Sequence, residues 1–446
     1  MQTKYYLKRY YCAAFSFLLI CACHFVDSMP AEEFDQNAEL TDPLTEAAQP
    51  PHPLISQRRG ERLAKEGAVL SHPVVDQRRG ERLVNERAEL SKKALFAQSA
   101  ISKVLAIKNA TCARKGDSQI KCWGYNTNGS LGANPVALKK TFLPTPVQSL
   151  NEPLRSLSAG STHVCAVTKL GTMKCFGDNT AAQLGINSTG SSFSALSPAR
   201  LAHGVFWSAA GFDSSCAIVE GNGLKCWGQN IGTPQDVPGA GEAVYQVTVG
   251  NRHKCLLNEN FGVQCWGANE SGQLGTTLAV ASADLPLNVE SLSSGVVQVV
   301  AGHSHSCALK GSGAVYCWGR NSYGQLGDGS TEQRNVPVEI TMLGTDVLAL
   351  SLATDYSCAL KAGGYVWCWG NNDKGQLGDG TLTSRANPSE VLLLQSGNIA
   401  LTTGSGHACA MDSQERIQCW GEDRFGQLGA AATYGNNVAP VSIVDF

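Results

Sequence analysis

Seven times between residues 112 and 419, two cysteines stand ten positions apart, and each second cysteine is followed by Trp-Gly, or by Phe-Gly at Phe176. The pairs are Cys112/Cys122, Cys165/Cys175, Cys216/Cys226, Cys255/Cys265, Cys307/Cys317, Cys358/Cys368 and Cys409/Cys419. Successive second cysteines lie 53, 51, 39, 52, 51 and 51 residues apart, so the second part of the chain is an array of seven units. Within a unit, short apolar runs such as GVVQVVAGHSHSCALK and AVYCWG are separated by turn residues and followed by a loop, NSYGQLGDGS. Four short strands per unit of this length suggest the blades of a propeller. The expected fold class is therefore all-β: a seven-bladed β-propeller with one hairpin disulfide per blade, preceded by a disordered or partly helical N-terminal segment. A blade cannot bury both faces alone, so Trp123, Trp227, Trp266, Trp318, Trp369 and Trp420 are expected as wedges between neighbours.

The cysteine spacing decides between staple and site. In a hairpin centred on Ser312, Leu309 faces Val315 and Cys307 faces Cys317. Opposed residues in a non-hydrogen-bonded pair lie about 4.5 Å apart at Cα, within disulfide reach. Zinc sites favour two to four residues between ligands and redox motifs favour Cys-x-x-Cys. Nine residues intervene here in every pair, so seven structural disulfides are expected. His163, His253, His305 and His407 each precede a cysteine by two positions, but Ala110, Ser214 and Tyr356 hold that place in units one, three and six. The pattern fits hydrogen-bonded structural histidines better than a metal ring. No unit carries a nucleophile, base and oxyanion donor of its own, so no catalytic, cofactor-binding or metal site is expected.

The segment AGHSHSCALKGSGAVYCWGRNSYGQLGDG resembles the repeat of the regulator of chromosome condensation family, a seven-bladed propeller, and the resemblance runs over residues 101–446. Unit three departs from it: CWGQNIGTPQDVPGAG lacks Gln-Leu-Gly and is about twelve residues short, so one blade-to-blade loop there is expected to be trimmed. The resemblance also implies a ring closed by sequence from one terminus completing a blade begun at the other. The tail APVSIVDF, Ala439 to Phe446, is accordingly expected to pair with the first blade.

The front of the chain has other properties. Lys4, Lys8 and Arg9 precede the apolar run CAAFSFLLICACHFV, which suits a secretory signal over 1–28 better than a membrane span. Cleavage there removes Cys12, Cys21 and Cys23 and leaves 17 − 3 = 14 cysteines, an even number in an oxidising route. Residues 29–56 are acidic and expected to be disordered. Residues 57–100 hold a duplication, QRRGERLAKEGAVLSHPVVD and QRRGERLVNERAELSKK, read as a basic, partly helical linker. The order of parts resembles oomycete RxLR-type secreted effectors. Arg59-Gly60-Glu61-Arg62 and Arg79-Gly80-Glu81-Arg82 keep the two arginines of that motif and replace its leucine by glutamate. Asn109, Asn128, Asn187 and Asn269 begin Asn-x-Ser/Thr sequons.

Charge narrows the partners. Net charge is −2 and residues 101–446 carry 22 Lys+Arg against 24 Asp+Glu, so no basic field invites nucleic acid. The expectation is a secreted, monomeric, non-enzymatic propeller without cofactor or membrane span, binding a protein partner through loops that do not repeat. As an RxLR-like effector it would manipulate host defence, for instance by suppressing host cell death. The alternative is a bacterial exported or lipid-anchored propeller serving adhesion or enzyme inhibition, with ICAC ending at Cys23 as the lipid site. Guanine nucleotide exchange, the best-known activity of the family, fits less well with export and disulfides.

Overall fold

The computed structural model describes residues 103–446 apart from 242, 431–434 and 444–445, together with Glu89, Leu90 and Lys93. The signal segment, the acidic stretch and the motifs at Arg59–Arg62 and Arg79–Arg82 lie outside the described residues. Of the linker, Leu90 packs against the cores of the fourth and fifth units, and Lys93 Nζ donates to Gly311 O at 2.5 Å.

Seven four-stranded antiparallel sheets follow one another along the chain. They span residues 104–146, 154–196, 205–236, 244–288, 296–339, 347–390 and 398–442 and are called blades 1 to 7. Each strand pairs with the next in sequence, so every blade is a meander whose innermost strand comes first. The apolar inner strands, such as Val296–Ala301, alternate with turns rich in glycine, and the outer strands, such as Arg334–Glu339, are half-exposed.

The expected register holds: Cys307 faces Cys317 and Leu309 faces Val315. Seven disulfides join the pairs Cys112–Cys122, Cys165–Cys175, Cys216–Cys226, Cys255–Cys265, Cys307–Cys317, Cys358–Cys368 and Cys409–Cys419. Their Cα separation of 4.1 Å is that of closely opposed antiparallel neighbours.

The tail does not pair with the first blade. Its strand Asn436–Ser442 is the outer strand of blade 7, with Val441 opposite Cys419. Blade 1 is already complete, because Val104–Ile107 supplies its inner strand and Lys140–Pro146 its outer one. The ring closes through side chains instead. Trp123 of blade 1 lies in one core with Met411, Ile417 and Leu428 of blade 7, edged by Ile443 and Phe446. The Phe446 ring stands 6.1 Å from that of Trp123, edge to face. Deleting Pro440–Phe446 is expected to remove roughly 3–5 kcal/mol of this packing and lower the melting temperature by roughly 5–10 °C. An unchanged melt would show that the tail takes no part in closure.

The other seams repeat that arrangement, each aromatic wedge sitting in the core of the preceding blade: Trp227 on blade 2, Trp318 on blade 4, Trp369 on blade 5 and Trp420 on blade 6. The indole N–H of each donates 2.9 Å to a carbonyl in the Gln-Leu-Gly loop of that blade: Gln183, Gln273, Gln325 and Gln376. Gly327, at φ +80°, shows why this loop ends in glycine, since a Cβ there would lie 2.7 Å from the Trp369 indole nitrogen. Blade 1 has Ser130-Leu131-Gly132 in place of Gln-Leu-Gly, and blade 2 answers with Phe176, which has no N–H to satisfy.

The histidines complete the seams. Nε2 of His163, His253, His305 and His407 lies 2.8–2.9 Å from a hydroxyl of the next blade: Ser215, Ser306, Ser357 and Thr111. Each hydroxyl donates its one hydrogen to the glutamine carbonyl of the blade before it, so it accepts from Nε2–H, which fixes a neutral tautomer. Burial holds His163 down to about 4 and His253, His305 and His407 to about 3. A Cβ on Gly302 would strike the His305 ring at 2.4 Å, which accounts for the glycine three residues before the histidine. Where blade 6 has Tyr356 instead, blade 7 has Ala408, and the longer side chain passes over it to donate to His407 O at 2.5 Å.

Candidate binding face at the mouth of the axial channel

Seven inner strands surround an axial cavity of about 230 Å³. In a meander the first and third connections of every blade emerge at the same end. Hydrogen bonds confirm it: the residue after Trp-Gly donates to the loop before the second strand, as Arg320 N does to Ser304 O and Asn371 N to Asp355 O, both at 2.9 Å. One face of the ring therefore carries an inner circle of short loops and an outer circle of Gln-Leu-Gly loops.

In the inner circle, the residue after the conserved-looking glycine or its substitute is, blade by blade, Lys108, Ser161, Phe212, Asn251, His303, Thr354 and Ser405, and all seven line the cavity. Their backbone is as regular as the rest, with Ser161 N donating to Gly211 O at 3.0 Å and His303 N to Ala353 O at 3.1 Å. Their side chains are not. Phe212 meets His303 edge to face with ring centres 5.7 Å apart, and Asn251 Nδ2 lies 2.9 Å from His303 Nε2. Blades 3 to 5 thus hold an aromatic and amide cluster, while the other side of the mouth carries the hydroxyls of Thr354, Ser405 and Ser161 with the exposed Lys108 among them.

Charge is uneven there too. Arg320 Nη1 approaches Asp355 Oδ1 at 3.9 Å, and burial raises Asp355 above the ordinary carboxylate range despite that arginine. Burial, with Asp178 nearby, likewise raises Asp213. Burial lowers His303, with Asp355 pulling the other way.

The trimmed loop of unit three lies on this face, between the third and fourth strands of blade 3 and not between blades. Strand Gly223–Gly228 passes to Ile231–Asp236 through Gln229 and Asn230, both at positive φ. In blade 5 the corresponding strands are Val315–Gly319 and Arg334–Glu339. What is lost is the loop that elsewhere covers the next blade's tryptophan. Lys254 Nζ occupies part of the space, 3.4 Å from Gln229 Oε1.

The fourteen cysteines are scaffold and do not gather at this face. Among the described residues no group of three or more His, Cys, Asp or Glu stands ready to hold a metal, and no helix is long and apolar enough to cross a membrane. Of the sequons, Asn128 and Asn187 are exposed at left-handed φ of 51° and 57°, and Asn109 is half-buried in the turn between the first two strands of blade 1. Asn269 is a loop staple: its Nδ2 donates to Val280 O at 2.9 Å and its Oδ1 accepts from Leu274 N at 3.0 Å. Asn126, Asn179, Asn321 and Asn372 do the same in their blades. Reading the units one at a time misses Phe212, Asn251, His303 and Lys254. The signal for them is the column of seven units in which one position refuses to repeat.

Among known proteins, two profiles described as the regulator of chromosome condensation (RCC1) repeat match residues 119–167, 262–309, 312–360 and 363–411, and 154–183, 296–325 and 399–427. The E3 ubiquitin-protein ligase HERC2 of Homo sapiens is 29% identical over 347 residues, covering 72% of this chain and 7% of the ligase, so this chain spans a small fraction of that relative. The ultraviolet-B receptor UVR8 of Arabidopsis thaliana is 26% identical over 318 residues, 67% of this chain and 71% of the receptor. Yeast RCC1 (Prp20), solved bound to Kap60, has a TM-score of 0.66 at 20% identity, covering 74% of this chain and 84% of that one. A second Prp20p structure, from Saccharomyces cerevisiae and described with its binding to Gsp1p and histones, gives 0.65 at 20% identity, covering 74% and 86%. With its seven blades and the matched repeats, this chain belongs to the regulator of chromosome condensation (RCC1) repeat family.

Proposed function

We propose that this chain is a secreted, non-enzymatic propeller that binds a protein through the face carrying Phe212, Asn251 and His303, and that it acts as an effector suppressing host cell death. The observation that carries the binding face is the non-repeating circle Lys108, Ser161, Phe212, Asn251, His303, Thr354 and Ser405, which lines the mouth of the axial cavity on an otherwise repeating scaffold. Aromatic and amide side chains beside a charged pair are the composition of interface anchors. Propellers of this fold that bind Kap60, or Gsp1p and histones, support an interaction role. Secretion and the effector role rest on the front of the chain: the apolar run from Cys12, the paired Arg-x-x-Arg motifs at Arg59 and Arg79, and fourteen pairable cysteines.

The test is expression of the chain in plant tissue challenged with a death-inducing elicitor. Tissue death is expected to fall with the wild-type chain and to return with Phe212→Ala/His303→Ala. Loss of two central anchors is expected to weaken binding at least about tenfold. An elicitor response unaffected by the wild-type chain would sink the effector role. Equal suppression by the double variant would move the binding surface elsewhere.

A further inference from the structure

At five seams a tryptophan N–H donates to a carbonyl of the preceding blade's loop, at 2.9–3.0 Å, and a buried leucine such as Leu326 or Leu377 fills the space beneath. The seam between blades 3 and 4 has neither. Blade 3 ends its third strand in a two-residue turn, so no loop carbonyl reaches Trp266, which is 7% exposed where the other tryptophan wedges are at most 1% exposed.

Strand register places Lys254 opposite Trp266, the position that Ser306 holds opposite Trp318 and Ser357 opposite Trp369. Those serine hydroxyls donate to the same glutamine carbonyls as the indoles. Lys254 and the Trp266 N–H therefore stand on the side of the strand pair that faces the point where a carbonyl oxygen sits in the other seams. Lys254 has only the long contact to Gln229 Oε1, and Gln229 Nε2 donates to Asn251 O at 3.1 Å, which joins the notch floor to the mouth. Burial lowers Lys254 to about 8, so it is still mainly cationic at neutral pH. Ile231, at the edge of the turn, is 50% exposed.

We propose that this notch is a docking site for a loop of a protein partner, which lays a main-chain carbonyl on the Trp266 N–H, an acidic side chain on Lys254 and an apolar side chain against the seam where the other blades' own loops place their leucine. The partner completes blade 3 from outside. The inference rests on the reading of this face as the binding surface and says where on it a partner is gripped. Charge complementarity selects the occupant: an open indole donor beside a cationic amine held only by the long contact to Gln229 calls for an acceptor-rich, acidic loop.

The probe is a free, capped peptide of residues 322–329, Ser-Tyr-Gly-Gln-Leu-Gly-Asp-Gly, titrated into the full chain carrying nitrogen-labelled tryptophan. The Trp266 indole resonance is expected to move while those of Trp318 and Trp369 stay, with half-saturation near about 1 mM, as suits a short flexible ligand. Lys254→Ala is expected to weaken this about tenfold. A second variant, with the blade 5 loop 321–333 grafted in place of Gln229–Asn230, is expected to fold and to abolish the shift. A Trp266 resonance that does not move, or moves equally in Lys254→Ala, overturns the proposal. So does a Trp266 N–H already protected from exchange without peptide, which would mean that this chain fills its own notch, or a shift that follows protein concentration, which would mean a second copy does. Because Phe212→Ala/His303→Ala changes neither Lys254, Trp266 nor Gln229, peptide binding in that variant separates failure here from failure of the effector reading.

Discussion

Reductant added to the folded protein is expected to open Cys216–Cys226 first and to leave the other six disulfides intact until the chain unfolds. Thiolate attack requires access to sulfur. Thirteen of the fourteen cysteines are fully buried; only Cys226 of blade 3 is partly exposed. Each bridge closes a short hairpin loop and contributes about 3 kcal/mol on the chain-entropy estimate. Seven together approach roughly 20 kcal/mol, more than the usual net stability of a domain, about 5–15 kcal/mol. A chain denatured, reduced and returned to buffer with its thiols blocked is therefore expected not to refold. Removing one pair, Cys307→Ala/Cys317→Ala, is expected to lower the melting temperature by roughly 5–10 °C. Mass spectrometry after alkylation under native conditions checks the order. Uniform labelling of all fourteen cysteines would refute the protection that burial confers. That protection bears on where the protein can act, because disulfides that resist native reduction let the ring outlast a period in a reducing compartment.

Period and spacing carried most of the scaffold. Seven Cys-x9-Cys pairs with Trp-Gly gave blade number, hairpin register and disulfide pairing, because a strand-turn-strand of fixed length has one register that puts its cysteines opposite. Closure was not legible. The tail's likeness to outer strands such as Arg334–Glu339 was real, but likeness to an outer strand does not say whose. The answer lay in the phase of the repeat, since Val104–Ile107 already fills the inner place of blade 1. The short third unit was legible in length but not in place, because counting between cysteines cannot tell a third connection from a fourth. The face itself was hidden by the success of the repeat reading. Lys254 looks like an ordinary lysine until Ser306 and Ser357 show what stands there in other blades. Covariation across seams, His305 with Ser357 against Tyr356 with Ala408, needs the neighbour relation between blades, which only the ring supplies.

Those seam histidines make the ring sensitive to acid. In the unfolded chain a histidine titrates near about 6.5; in the seams the four sit at about 3 to 4, held neutral by burial. Between those values the unfolded state binds more protons than the folded one, so stability is fully present above about pH 6.5 and is lost as pH falls. Each histidine contributes a slope of about 1.4 kcal/mol per pH unit in that window. Four acting together set an upper bound on the order of 10 kcal/mol lost by about pH 4.5. The lowered carboxylates Asp178, Asp328, Asp379 and Asp412 add their loss only below about pH 4, where unfolded carboxylates begin to protonate. Asp213 and Asp355, raised by burial, act in the opposite sense and blunt the lower end of the window. Thermal melts between pH 7.5 and 4.5 are expected to fall steadily from about pH 6.5. In His305→Gln the amide can still donate to Ser357, so a lower melting temperature at pH 7.5 is expected together with a shallower pH slope, by about a quarter. A slope identical to wild type would show that the buried histidines do not govern the acid response. A melting temperature constant from pH 7.5 to 4.5 would show that the seams take up protons without penalty, although each added proton would sit on a buried Nδ1 that has no hydrogen-bond partner, the Nε2–H bond to the neighbouring hydroxyl being kept.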